Sequence, residues 1–307
     1  MKLPLDDNGD LIPYHVRLKS PRNLIIMSMR KSGKTDSMID NPNFLIGDCE
    51  KGTEYFEGSN KVNLLIYNES DKAGPFTRLK NGNIIPTGLF QTVMELQEVN
   101  NMKLFRTLEK QYEASPTEQN FNELMKCILL MKFPIFVIDT ITSFMKMVES
   151  CALFEYNLNL NPTTKKKTNI KKVDNYNGAK YIRNTLEELK GFIETAAPFI
   201  VYNAHTKLRK ASLEKHDEEM TTVDIDLEGS LPGIFSSRAD ALGFLYRDEE
   251  GVWLDFKKRE ESDLDARPRH LMGKLFKIAD LHELDTAGDL VKKGETHWKE
   301  LYPELTW

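Results

Sequence analysis

NLIIMSMRKSGKTDSM, Asn23 to Met38, decides how the rest of the chain is read. An apolar run, Leu24 to Met27, gives way to a polar segment that closes with Gly33-Lys34-Thr35. A phosphate-binding loop requires this order: a strand, a loop, then a helix whose free N–H groups face an anion. In such a loop Lys34 reaches the terminal phosphates and the Thr35 hydroxyl ligates Mg²⁺, while Ser28, Arg30, Lys31, Ser32, Gly33 and Asp36 complete the cradle. The usual pattern has glycine five residues ahead of Gly33, where this chain has Ser28. Serine lacks glycine's freedom at positive φ. The helix after the loop is expected to be short, because Asn41-Pro42 stops it. Arg30 and Lys31 either add charge beside the phosphates or point into solvent.

Working outward, several apolar runs end in polar residues, as parallel strands do when a ligand site lies at their carboxyl ends. FLIGDCEKG, Phe44 to Gly52, ends in carboxylates and glycine, and KVNLLIY, Lys61 to Tyr67, is a further strand. KFPIFVIDTITSF, Lys132 to Phe144, contains a short, fully apolar run ending in Asp139, and PFIVYNAH ends at His205. Helical spacing of apolar residues predicts helices across 89–131, interrupted at Ala114–Thr117. GAKYIRNTLEELKGFIETAA carries a clear apolar stripe through Ala179, Ile182, Leu186, Leu189 and Ile193. A long polar loop is expected from Thr206 to about Pro232, then two strands around Glu249-Glu250-Gly251, then a tail of short helices.

Each strand end offers chemistry and a plainer alternative. Asp139 can hold the Mg²⁺ shell or cap the next helix. Glu50 can orient or deprotonate an attacking water, with Asp48 as its competitor. His205 can touch the γ-phosphate or be structural, and Lys257 and Arg259 can stabilise phosphoryl charge or guard an edge strand. Lys165, Lys166, Lys167, Lys171 and Lys172 form a basic island in an Asn-rich surface loop, able to contact nucleic-acid phosphates or simply to be solvated.

Composition sets bounds. The 307 residues contain 40% hydrophobic and 29% charged side chains, with a net charge of −5, so no global basic field advertises nucleic acid. Three scattered cysteines show no metal or disulfide spacing, which suits a reducing cytoplasm. No apolar run approaches the ~18 residues of a membrane span. A cytoplasmic protein without membrane partners is expected.

The ordered set SGKT, IGDCEKG, FVIDTITSF, IVYNAHTK and FKKR resembles the RecA-core ATPases, and among them the short phage-encoded nucleotide-binding proteins linked to single-strand annealing recombination. Asp48, Glu50 and Gly52 match that group's Asp-x-Glu-x-Gly strand end, Ile138-Asp139-Thr140-Ile141 its second acidic strand, and Ala204-His205 its later His-bearing segment. The resemblance implies an α/β RecA-like P-loop NTPase with a mostly parallel sheet flanked by helices, plus a C-terminal β-hairpin and short helical tail. It implies one domain over 1–307, with a core at about 20–260, a helical insertion at about 89–131 and a tail at 261–307. ATP and Mg²⁺ are the implied cofactors. Lys34 and Thr35 would bind phosphate and metal, Asp139 the metal shell and Glu50 the water, with His205 as sensor. The implied partners are DNA, single-stranded above all, further copies of the chain in a ring or filament, and a single-strand binding protein. Two alternatives carry less. One is a nucleotide-dependent regulatory or loader protein with slow hydrolysis. The other is a terminase-type packaging motor, whose strand-terminal Asp is usually followed by Glu, where this chain has Thr140. No Asn-Lys-x-Asp motif marks a GTPase.

Overall fold

The computed structural model describes residues 18–39, 41–55, 60–65, 74–173, 175–212, 219–257, 264–284, 286 and 290–307. The first strands are β1 (Asn23–Ser28), β2 (Phe44–Asp48), β3 (Lys61–Asn63), β4 (Phe76–Arg78) and β5 (Ile84–Pro86). Three helices follow, α1 (Thr87–Val99), α2 (Met102–Ala114) and α3 (Glu118–Leu129), and lead into β6 (Ile135–Asp139). Next come α4 (Ile141–Leu158), α5 (Asn175–Ile193), β7 (Phe199–Ser212), β8 (Glu219–Ile225) and α6 (Leu231–Ser236). The remainder holds β9 (Ala241–Arg247), β10 (Val252–Asp255), β11 (Asp265–Ala266), β12 (Leu275–Ala279), β13 (Glu283–Leu284) and β14 (Leu290–Lys292).

The molecule is α/β, built on a mixed sheet in the order β12-β10-β9-β1-β7-β6-β2-β3. The run from β9 to β3 is parallel, while β10, β11 and β12 join antiparallel at one side. Parallel strands are buried on both faces, and β1 and β6 show it: Leu24 to Met27 and Ile135 to Ile138 are all buried. Alternation then divides the core. Ile25, Met27, Phe136, Ile138, Ile200 and Tyr202 pack with α1, α4 and α5. Leu24, Ile26, Phe44, Ile46, Ile135, Val137, Phe199 and Val201 pack with α2, α3 and the buried indole of Trp298. No helix among the described residues is long and apolar enough to cross a membrane.

Several local expectations change. The third strand keeps only Lys61–Asn63; Leu64 and Leu65 form a turn, and 66–67 lie outside the described residues. Much of the segment from Thr206 is strand: β7 runs on past its parallel neighbours and pairs antiparallel with β8, from Thr206↔Ile225 to Ser212↔Glu219, while 213–218 lie outside the described residues. The tail contributes strands where short helices were expected. β12 extends the sheet, and a single 3₁₀ turn, Trp298–Glu300, buries Trp298 and precedes the buried Tyr302.

Candidate functional site

On the face that carries α2, α3 and Trp298, every central strand turns from apolar to polar at its carboxyl end. Leu24 and Ile26 are followed by Ser28, Phe44 and Ile46 by Asp48, Ile135 and Val137 by Asp139, and Phe199 and Val201 by Asn203 and His205. Side chains two residues apart share a face, so these polar groups converge. Register aligns them: Asp48 lies across from Asp139, Asp139 across from Asn203, and Ser28 across from His205.

The loop that closes with Gly33-Lys34-Thr35 follows β1 on that face. Its left-handed residues are Lys31, at φ 61°, and Gly33, at φ 92°. Ser28 is not among them; it ends a regular strand, so the missing glycine imposes no backbone strain. Left-handed turns of this kind gather backbone N–H groups into an anion-binding concavity. Gly33 is required twice over, since a Cβ there would also lie 3.3 Å from Val252.

Among the described residues no α-helix stands between the loop and β2. Ser37 N–H donates to Gly33 O at 3.0 Å and Ile39 N–H to Thr35 O at 2.9 Å, which makes a single helical turn. The Ser37 carbonyl, two residues further along the ladder, instead takes the Trp298 indole N–H at 2.7 Å. Pro42 then prevents resumption.

Lys34 is buried, and its ammonium donates to Ser28 Oγ. Ser32 Oγ also lies 2.7 Å from that oxygen. Burial pushes the lysine below its usual pKa, against the opposing pull of the Asp139 and Glu50 carboxylates. Arg30 and Lys31 are exposed beside the loop. Asp36 is committed to the tail, 2.8 Å from His282 Nε2.

Both oxygens of Asp139 are engaged. Oδ2 accepts from the Thr35 hydroxyl at 2.6 Å, and Oδ1 from the Asn203 amide at 3.1 Å. Burial raises its pKa, opposed by the Thr35 and Asn203 hydrogen bonds and by Lys34, with Asp48 adding to the rise. Because Thr35 donates its hydroxyl proton to Asp139, the hydroxyl lone pairs face outward, as a hydroxyl ligand of a cation must.

Glu50 follows β2 and is held by the start of α4. Its Oε1 accepts from Thr140 Oγ at 2.5 Å and Ser143 Oγ at 2.8 Å, and lies 3.6 Å from His205 Nε2. The last spacing is that of an ion pair and too long for a good hydrogen bond. The His205 imidazole, then the Thr140 and Ser143 hydroxyls, hold the Glu50 carboxyl down at about 2, against partial burial. Asp48 is different. It is buried and accepts from Glu50 N at 2.7 Å, Thr53 N at 2.9 Å and Thr53 Oγ1 at 2.5 Å. That occupation makes it the brace of the Glu50 loop.

The basic island is divided. Lys165, Lys166, Lys167 and Lys172 are exposed, whereas Lys171 bridges Glu149 at 3.0 Å and Glu228 at 3.1 Å. Asn157 pins the backbone of Lys167 by two hydrogen bonds, of 2.8 and 2.9 Å. Lys257 is exposed, and Arg259 lies outside the described residues. Sequence reasoning missed Asn203, Thr140 and Ser143. The signal for Asn203 was available, as a polar residue in phase with Phe199 and Val201. Thr140 and Ser143 needed the fold to bring α4 against Glu50.

Among the described residues no group of three or more His, Cys, Asp or Glu side chains is arranged to hold a metal. One buried carboxylate beside a threonine hydroxyl nonetheless suits Mg²⁺, which keeps several waters and leans on substrate phosphates. No protein-family model and no curated protein matches the chain.

Proposed function

We propose that the protein is a Mg²⁺-dependent P-loop ATPase of RecA-like organisation that acts on DNA, single-stranded above all, in phage recombination or replication. The observation that carries this reading is the convergence of Lys34, Thr35, Asp139 and Glu50 at adjacent strand ends beside a left-handed loop. Mg²⁺, when bound, supplies neutralisation of the phosphate charge. The loop N–H groups and Lys34 bind the phosphates, and Lys34 must leave Ser28 to do so. Thr35 and Asp139 are the residues that would hold the metal, Thr35 through its hydroxyl lone pairs and Asp139 behind it. Glu50 has Oε1 fully used and Oε2 left to accept from a water. A carboxylate held near a pKa of about 2 is a weak base. Glu50 therefore orients the nucleophile more than it deprotonates it, which suffices for a loose phosphoryl-transfer transition state.

The packing-motor alternative has less support. Thr140 stands where those motors carry Glu, and its hydroxyl serves the carboxylate of Glu50 on the neighbouring strand. His205 lies 3.6 Å from that carboxylate and directly precedes the residues of β7 that pair with β8, so a change at Glu50 has a short route to that pairing. The test is ATP turnover with and without single-stranded DNA. Stimulation by DNA, abolished by Lys34→Ala, is expected; turnover indifferent to DNA, or no nucleotide binding, overturns the reading.

A further inference from the structure

Asn203 is fully buried, and its amide oxygen has no hydrogen-bond partner among the described residues. Leaving such an acceptor bare is costly, and native interiors rarely do so without a functional reason. The orientation of the amide is fixed by chemistry, since its NH₂ must face the carboxylate Oδ1 of Asp139 at 3.1 Å. The same NH₂ lies 3.8 Å from the Met38 sulfur, which places Asn203 under the turn that follows the phosphate loop. Asp139 in turn holds Thr35. Nothing in β7 itself demands an amide here. The strand is otherwise apolar on this face until Asn203, and a leucine or valine would leave no bare oxygen but would take a donor from Asp139.

We infer that Asn203 is a positioning residue for a hydrated divalent cation. Its NH₂ locks Asp139 in the rotamer that receives the Thr35 hydroxyl, and the enclosed, unpartnered oxygen is what an amide at that position entails. This rests on the reading of the site as a Mg²⁺–nucleoside triphosphate site. It adds to that reading a residue on β7, the strand that also carries His205, that fixes the carboxylate behind the cation. Cation occupancy and the β7–β8 pairing beyond His205 are thereby mechanically adjacent.

The experiment compares binding of a fluorescent ATP analogue to the full chain with Mg²⁺ and with EDTA. The ratio of the two affinities is the cation's contribution. Asn203→Leu keeps the branched shape, with bulkier ends, and removes both polar functions. It is expected to cut that ratio at least ~10-fold, on the scale of a lost charge-assisted hydrogen bond, while affinity in EDTA stays within about twofold. Asn203→Ser, which is smaller and easier to accommodate, is expected to lower the ratio in the same direction, with thermal melting reporting its fold. A merely structural asparagine would shift both affinities together or neither. An undiminished ratio in a folded variant overturns the inference alone. Absence of nucleotide binding by the unsubstituted chain overturns the nucleotide site itself, and this inference with it.

Discussion

The Thr35 hydroxyl donates to Asp139 Oδ2 at 2.6 Å, a bond between residues 104 positions apart. It ties the end of the phosphate loop to the end of β6 and sets the direction of both side chains. Asp139 is buried, so the bond also helps an enclosed carboxylate to remain ionised.

Thr35→Val removes that donor while keeping the shape. The buried carboxylate then retains only Asn203 among its hydrogen-bond donors, at a cost of about 1–3 kcal/mol. Denaturant unfolding is expected to show the loss, and nucleotide titration to show Mg²⁺ no longer improving binding. Thr35→Ser keeps the hydroxyl and is expected to restore both.

Glu50→Gln is expected to bind ATP and fail to hydrolyse it, read by equilibrium binding beside single-turnover kinetics. The same substitution tests the carboxyl's acidity. Its folded value of about 2 lies below the ordinary 4.5, so Glu50 stabilises the fold above pH 4.5 and loses that contribution as pH falls from 4.5 toward 2. Melting temperature against pH is therefore expected to flatten in that window in Glu50→Gln. Ser143→Ala removes one hydroxyl from Oε1 and is expected to move the acid limb of turnover upward in pH.

Asp48→Ala separates bracing from chemistry. Three hydrogen bonds end on this buried carboxylate, and their loss is expected to lower stability by roughly 2–4 kcal/mol. Nucleotide affinity of the folded fraction should persist. Complete loss of ATP binding in a folded variant would return Asp48 to the site.

Replacing Lys165, Lys166 and Lys167 together by Ala is expected to weaken binding to single-stranded DNA and to reduce the slope of log affinity against log salt by about 2, at ~0.7 per phosphate contact. Lys171→Ala is expected to leave the slope nearly unchanged, because that side chain is held by Glu149 and Glu228. An unchanged slope in the triple variant would leave the island a solvated surface.

The sequence was most legible where burial is complete. The runs ending at Ser28, Asp48 and Asp139 are apolar enough to read as parallel strands, and each polar stop sits at the site. Legibility failed where structure depends on distant partners. The stretches that pair as β7 and β8 beyond His205 are rich in charged and polar residues with no apolar alternation, so they look like loop. LFKIA in β12 is too short for its period to be decisive, with a lysine at its centre. The absent helix after the loop follows in part from Trp298, 261 positions away from Ser37. Ser28, a departure from the usual loop as sequence, is a conservative change as structure, because left-handed geometry falls on Lys31 and Gly33 instead.

The contact of Trp298 with the Ser37 carbonyl has a practical consequence. Of the 3 tryptophans in the chain, this one is wholly enclosed and bonded to the turn that closes the phosphate loop. The protein thus carries its own optical reporter. Excitation of the indole is expected to register nucleotide entry as a change in emission without any label, and Trp298→Phe to silence that signal while Trp253→Phe leaves it intact.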